Sequence, residues 1–310
     1  MGRRSSAKRI NSSQSREKAL ATDSTRVAVV TGASSGIGRE VAKALAALGW
    51  HVIGTGRDPA RIAAAKDEIA ARSRTGQVDM IRADLSLLAS ARDTARQIAA
   101  LTDRVDLLVN NAGGMVSEMV MTSEGLEANF AGNHLGPFVL TNALLPLLRT
   151  AAQSSEPGAV RILNTASDAS EMIPFINLDD LQSLAAFSPG LAYCTGKLAN
   201  VLFAKALAQR LAEDGIVAHA VHPGAVDSNF FSYAPKDTQM RSRDLAKASE
   251  EEGADTLVWL ATADEAAATS GGYWFRRAPR TPNPVAQDQA VIDRFWEESE
   301  RLAGERSPGA

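Results

Sequence analysis

The chain has 310 residues, 45% hydrophobic and 22% charged, which supplies material for a large core and excludes a fibrous or wholly disordered protein. A formal net charge of −3 gives no basic excess for nucleic acid or an anionic membrane. The single cysteine, Cys194, excludes an internal disulfide framework, and with four scattered histidines it excludes a structural zinc set.

The first 24 residues form a serine-rich segment carrying Arg3, Arg4, Lys8, Arg9, Arg16 and Lys18 with few large apolar side chains. Such a segment buries too little surface to offset its ordering entropy, so a disordered basic tail is expected. From Arg26 onward, short β-branched runs alternate with alanine-rich stretches. Strands are predicted at residues 27–30, 51–55, 78–82, 105–109, 160–164, 217–221 and 273–275. Helices are predicted at residues 37–48, 59–72, 87–101, 123–148, 191–211 and 246–261, the fourth interrupted by Gly125, Gly132, Gly136, Pro137 and Pro146. Alternation of this kind predicts one α/β domain over 25–278, a doubly wound Rossmann-type parallel sheet of about seven strands with helices on both faces. Residues 279–310 form a C-terminal extension with a helix. No apolar run reaches about 18 residues, so no integral membrane segment is expected. The start lacks the apolar stretch of a secretory signal, and a cytoplasmic location is expected.

The first strand runs directly into Thr31-Gly32-Ala33-Ser34-Ser35-Gly36-Ile37-Gly38 and then a helix. Glycines in such a turn permit close backbone approach, and the helix start offers N–H groups to a pyrophosphate. Gly32, Ser34, Ser35, Gly36, Ile37 and Gly38 are therefore candidate cofactor-binding residues. The second strand ends in Thr55-Gly56-Arg57, with no carboxylate where NAD sites place one for the ribose hydroxyls. A guanidinium there suits a 2′-phosphate, so Arg57 points to NADP(H); Asp58, the next residue, keeps NAD(H) as the less favoured choice.

Tyr193 and Lys197 stand four apart on a predicted helix, hence on one face. A phenol with a pKa near 10 is a poor base at neutral pH; lowering it by about three units takes roughly 4 kcal/mol of preferential phenolate stabilisation, which a nearby ammonium and an oxidised nicotinamide ring can supply. With Asp84-Leu85, Asn110-Asn111-Ala112-Gly113, Asn133, Ser167 and Pro223-Gly224 in the same order, the chain resembles the short-chain dehydrogenase/reductase superfamily over residues 25–275. The strings Asn133-His134-Leu135-Gly136-Pro137-Phe138, Leu191-Ala192-Tyr193-Cys194, Lys197-Leu198-Ala199-Asn200, Val221-His222-Pro223-Gly224 and Phe295-Trp296-Glu297-Glu298-Ser299 resemble its retinol-dehydrogenase-like branch.

The resemblance implies that Tyr193 exchanges the substrate proton, that Lys197 depresses its pKa and holds the nicotinamide ribose, and that Ser167 polarises the substrate oxygen. It implies that Asn133 sits at a helix bend and positions a water on a proton route through Lys197. Asp84 with Leu85 would meet the adenine edge, Asn111 with Ala112 and Gly113 the adenosine half, and Pro223, Gly224, Val226 and Ser228 the carboxamide. Ala166 stands where many relatives carry a serine, and Asp168 and Ser170 beside Ser167 leave the choice of serine less sharp. Cys194, His134 and His222 read as packing or hydrogen-bonding residues. Met115, Val116, Met119, Val120 and Met121, with Phe230, Phe231, Tyr233 and Met240 in a loop expected to act as a lid, are candidates to line an apolar pocket. The expected activity is hydride transfer with a small apolar alcohol, aldehyde or ketone, and pairing through the long helices makes a homodimer or homotetramer the expected assembly. A non-catalytic NADP-binding protein and a carbon–carbon double-bond reductase on the same fold are the alternatives.

Overall fold

Small and β-branched residues build the central strands: β1 (Val27–Val30), β2 (His51–Gly56), β3 (Val78–Arg82), β4 (Leu107–Asn110), β5 (Arg161–Thr165), β6 (Val217–Val221), β7 (Tyr273–Phe275) and β8 (Ala278–Pro279). The computed structural model describes residues 25–227, 234–243 and 247–304. Its eight strands form one sheet in the order β3-β2-β1-β4-β5-β6-β7-β8, parallel through β7 and closed by the antiparallel two-residue β8. The order reverses between β1 and β4, and a ligand crevice opens at the carboxyl ends of the strands beside such a switch point. The basic segment 1–24 lies outside the described residues.

Successive strand residues serve opposite cores. Val29, Ile53, Leu108 and Ile162 pack on the face covered by α3 (Leu88–Leu101), α4 (Gly136–Gln153), α5 (Pro189–Arg210) and the terminal helix α9 (Gln289–Ala303). Val30, Val52, Leu107, Val109 and Leu163 pack on the other face, under α1 (Gly36–Ala47), α2 (Pro59–Ala70) and α7 (Glu250–Thr262). Two shorter helices, α6 (Lys236–Arg243) and α8 (Asp264–Ala267), lie in the connections around α7.

Two predicted helices differ from the observed ones. The stretch expected to be helical from 123 is a loop as far as Glu127, turned at Gly125 (φ 75°) and pinned by a bridge between Met121 and Glu127. The Glu127 carboxylate accepts from the N–H groups of Asn129 and Phe130 and starts the helix there. The chain then runs through a π-helical turn (Ala131–Leu135) into α4, which continues past Pro146 without a break. The other helix begins at Glu250 rather than 246, because Ser249 and Glu252 form a reciprocal capping box.

By length and composition the helical stretch Ala128–Gln153 could cross a membrane. Here it is a core helix, with Phe138, Leu140, Leu144 and Leu148 fully buried. The terminal helix α9 lies over α4 and α5, with Trp296 against Phe138 at 4.9 Å and under the Arg210 guanidinium at 4.2 Å. It covers part of the face through which pairing was expected.

Candidate active site

The turn after β1 is shaped by glycines. Gly32 and Gly36 take φ of 70° and 61°, and a Cβ on Gly38 would lie 2.6 Å from the Gly32 carbonyl oxygen and 2.5 Å from Asn111 Nδ2. Ser35 precedes α1 without capping it through its side chain, so the first N–H groups of that helix are left to a ligand. Ser34 packs against Gly56, where a Cβ would be 2.6 Å from Ser34 Oγ. Thr31, which had no role in the sequence reading, is the clasp: its Oγ1 donates to Val109 O at 3.2 Å and accepts from the N–H groups of Asn111 and Ala112, each at 2.9 Å. The Asn111 side chain is tied into the protein at both ends. Its Nδ2 donates to Thr31 O at 3.0 Å and its Oδ1 accepts from Thr165 Oγ1 at 3.4 Å.

Arg57 is exposed beyond β2, and its carbonyl accepts from Arg82 Nε. Asp58 is committed elsewhere, N-capping α2 by accepting from Arg61 N–H at 2.8 Å. Asp84, half-buried after β3, accepts from both the N–H and the hydroxyl of Ser86. Leu85 is buried, and its carbonyl oxygen lies against Gly136, where a Cβ would collide with it.

Four predicted residues are carried by three neighbouring segments. Lys197 is buried on α5, and its ammonium donates to Thr165 O at 3.1 Å, sharing that acceptor with Asn200 Nδ2 at 3.0 Å. A Cβ on Gly113 would stand 2.5 Å from Asn133 Oδ1 and 3.3 Å from Lys197 Nζ, so these three meet at one point. Asn133 lies inside the π-helical turn, the bend expected of it. Its Nδ2 donates to Gly114 O and Asn129 O, each at 2.8 Å, and its Oδ1 accepts from Gly114 N–H at 3.2 Å.

Tyr193, one turn before Lys197, is half-buried with its hydroxyl hydrogen-bonded to Ser167. The Lys197 ammonium is 5.7 Å from the centre of the Tyr193 ring. Burial pushes the phenol above its ordinary value, with the Asp168 charge adding to the push and the Ser167 hydrogen bond opposing it; partial solvent access tempers the effect. In the protein alone, burial leaves the phenol above its ordinary value, and the Lys197 ammonium donates to Thr165 O. Burial brings Lys197 itself down to about 8.

Ser167 rather than Ser170 neighbours Tyr193; Ser170 is buried on the other side of its turn, facing Tyr273. Pro223 and Gly224 follow β6, Gly224 with φ of 91°. Val226 is buried beside Gly253 and Ile37 and bridges to Ala248. Ser228, Phe230, Phe231 and Tyr233 lie outside the described residues. Met115 is buried, whereas Met119, Val120, Met121 and Met240 are exposed and Val116 half-buried. A surface cleft of about 360 Å³ between α4, α5 and α9, lined by Arg210 and Trp296, is remote from this chemistry: Arg210 is 17 residues along α5 from Tyr193, about 25 Å.

His134 is buried among Phe130, Phe138, Phe203 and Phe295, with Nε2 2.8 Å from Ser299 Oγ, and burial drives its pKa down to about 3. Cys194 is buried, which raises its thiol pKa. Among the described residues no cluster of three His, Cys, Asp or Glu could hold a metal.

The model of the short chain dehydrogenase family matches residues 26–239. The chain is 36% identical to human retinol dehydrogenase 13 over 291 residues, covering 91% of this chain and 86% of that protein. It is 38% identical to mouse polyprenol dehydrogenase over 285 residues, covering 90% and 84%. Among solved structures it is similar to an uncharacterized protein of Mycobacterium paratuberculosis (TM-score 0.70, 31% identity, covering 93% of this chain and 97% of that one). It is also similar to the Pseudomonas aeruginosa RhlG complex with NADP (TM-score 0.64, 28% identity, covering 81% and 94%).

Proposed function

The chain belongs to the short chain dehydrogenase family, and from that membership we propose that it transfers hydride between NADP(H) and an apolar alcohol or the matching aldehyde or ketone, with Tyr193 exchanging the proton. The chain is an alcohol/carbonyl oxidoreductase on a fold that binds a nicotinamide cofactor. The observation that carries the finer reading is the approach of Ser167, Tyr193, Lys197 and Asn133 beside a helix start whose N–H groups no side chain caps.

The residues fit the cofactor. The Gly32–Gly38 contact leaves no room for a side chain, and α1 offers its N–H groups to a pyrophosphate. Arg57 is free to meet a 2′-phosphate while Asp58 is occupied as a cap, which favours NADP(H) over NAD(H). A bound nicotinamide would supply the hydride chemistry and, when oxidised, a positive charge favouring the phenolate. Ser167 holds the substrate oxygen; Tyr193 donates its proton to that oxygen in reduction and withdraws the hydroxyl proton in oxidation. Lys197 is mostly ammonium at neutral pH, and with Thr165 O, Asn133 and Gly113 it marks a polar path from the phenol into the protein. Relatives named for retinol and polyprenol support an apolar substrate. A cytoplasmic location belongs to the same reading, and cell fractionation tests it.

The decisive experiment is Tyr193→Phe with NADPH and NADH against apolar carbonyls and alcohols. Loss of turnover by about 10²–10⁴-fold with cofactor affinity kept is expected. Undiminished turnover overturns the mechanism. Cofactor binding without turnover of any substrate by the unaltered protein indicates a binding protein, and a saturated ketone formed from an enone indicates double-bond reduction.

A further inference from the structure

Beside the serine stands an acid for which the mechanism above has no use. Ser167 Oγ donates to Asp168 Oδ1 at 2.9 Å and accepts from Ala169 N–H at 3.2 Å. A hydroxyl carries one proton, so Ser167 either gives it to Asp168 and accepts from the Tyr193 phenol, or turns it to the phenolate, the orientation in which this bond lowers the phenol. Asp168 is itself held. Its N–H donates to Nδ1 of the buried His222 at 3.3 Å, as does Gly224 N–H at 3.4 Å. With Nδ1 accepting, the ring proton belongs on Nε2, which lies 3.8 Å from Asp168 Oδ2. Stacking on Phe275, with ring centroids 4.7 Å apart, fixes the plane of the imidazole. One carboxylate oxygen thus takes the serine proton and the other faces a histidine N–H.

We propose that Asp168 is a positioning residue for the reaction: through Ser167 it directs the Tyr193 hydroxyl, and its charge sets the pH at which Tyr193 changes from proton donor to proton acceptor. The inference rests on the oxidoreductase reading above. The charges around this group are few. His222 is faced by Asp168, Glu171, Arg280 and Arg276. Arg280 is paired in two-pronged fashion to Glu171, so those two largely cancel, and the Arg276 guanidinium lies over the Phe275 ring at 5.0 Å. Tyr193 is faced by Ser167, Asp168, Cys194 and the Lys197 ammonium. Asp168 and Lys197 thus bring opposite charges to the neighbourhood of the phenol. Its negative charge raises the Tyr193 phenol, and it raises the neighbouring Cys194 thiol in the same direction.

The sign of the effect follows. Asp168→Asn keeps the acceptor for Ser167 and removes the charge, so the phenolate becomes easier to form. The rising limb of alcohol oxidation, which needs phenolate, and the falling limb of carbonyl reduction, which needs phenol, should both move to lower pH, by less than about one unit because the Asp168 carboxylate is exposed and its charge is screened. Asp168→Glu should restore the original position. The test is the pH profile of kcat in both directions for the holoenzyme and the two variants. Where the Asn variant turns over too slowly, Tyr193 is titrated directly by phenolate absorbance, with the same variant carrying Tyr193→Phe as the blank. A downward shift undone by Glu supports the proposal; an unmoved or raised midpoint overturns it. In that event a dead Tyr193→Phe enzyme still leaves the oxidoreductase reading standing, so the two can fail separately.

Discussion

On the β1–β3 side of the site, a turn of eight residues does most of the work. Its shape comes from backbone that tolerates positive φ and from one threonine clasped to the neighbouring strand β4. On the β5–β7 side, the 167–171 turn is held by partners more than 100 positions away. Arg280 pairs with Glu171, Tyr273 donates its hydroxyl proton to Glu171, and Asn283 Nδ2 reaches Ser170 O and Ile173 O. The π-helical turn that carries Asn133 is likewise braced from afar, since its next residue, His134, meets Ser299 of α9 across 165 positions. Backbone-built sites are insensitive to distant substitutions, whereas side-chain-braced sites inherit the stability of whatever braces them.

The largest test of that contrast is Phe295→Ala. Phe295 is fully buried against His134, and its loss should destabilise the protein by about 3–5 kcal/mol, read in chemical denaturation. Below the transition, kcat should fall more than cofactor affinity, because α9 braces the Asn133 turn and not the glycine turn. Equal losses in both would break the comparison. Next in size is Arg57→Ala, which should weaken NADPH binding about tenfold or more while leaving NADH nearly unchanged, as measured by fluorescence titration. Gly38→Ala sharpens the other side. Its methyl would press on Gly32 O and Asn111, costing about 1–3 kcal/mol of overpacking, and should weaken NADPH and NADH alike.

The legible part of the molecule follows the same division. Alternating strands and helices were readable because each β-branched run is long enough to be buried on both faces, and the glycine turn because only glycine fits its angles. Arg57, Tyr193 and Lys197 were readable as residue types in order along the chain, and the structure places Arg57 exposed beyond β2 and Tyr193 and Lys197 one turn apart on α5. The Ser249-x-x-Glu252 capping box was present in the sequence and would have placed the start of α7 correctly. No local signal announced that Thr31 clasps the turn to the end of β4 or that His222 faces Asp168, since each depends on where a second segment lies; the Glu127 cap and the Ser167–Asp168 hydrogen bond join near neighbours in the chain.

The amino-acid order by itself determined the doubly wound sheet, the cofactor turn and the set of polar side chains available for chemistry, because periodicity, glycine conformation and residue type are local properties. Tertiary structure alone decided how those side chains are aimed: Lys197 at the Thr165 carbonyl, Asn111 at the Thr31 carbonyl, and His222 with its proton towards Asp168. A hydrogen bond has one donor and a direction, and which acceptor comes within 3 Å is settled only when strands far apart in the chain lie side by side.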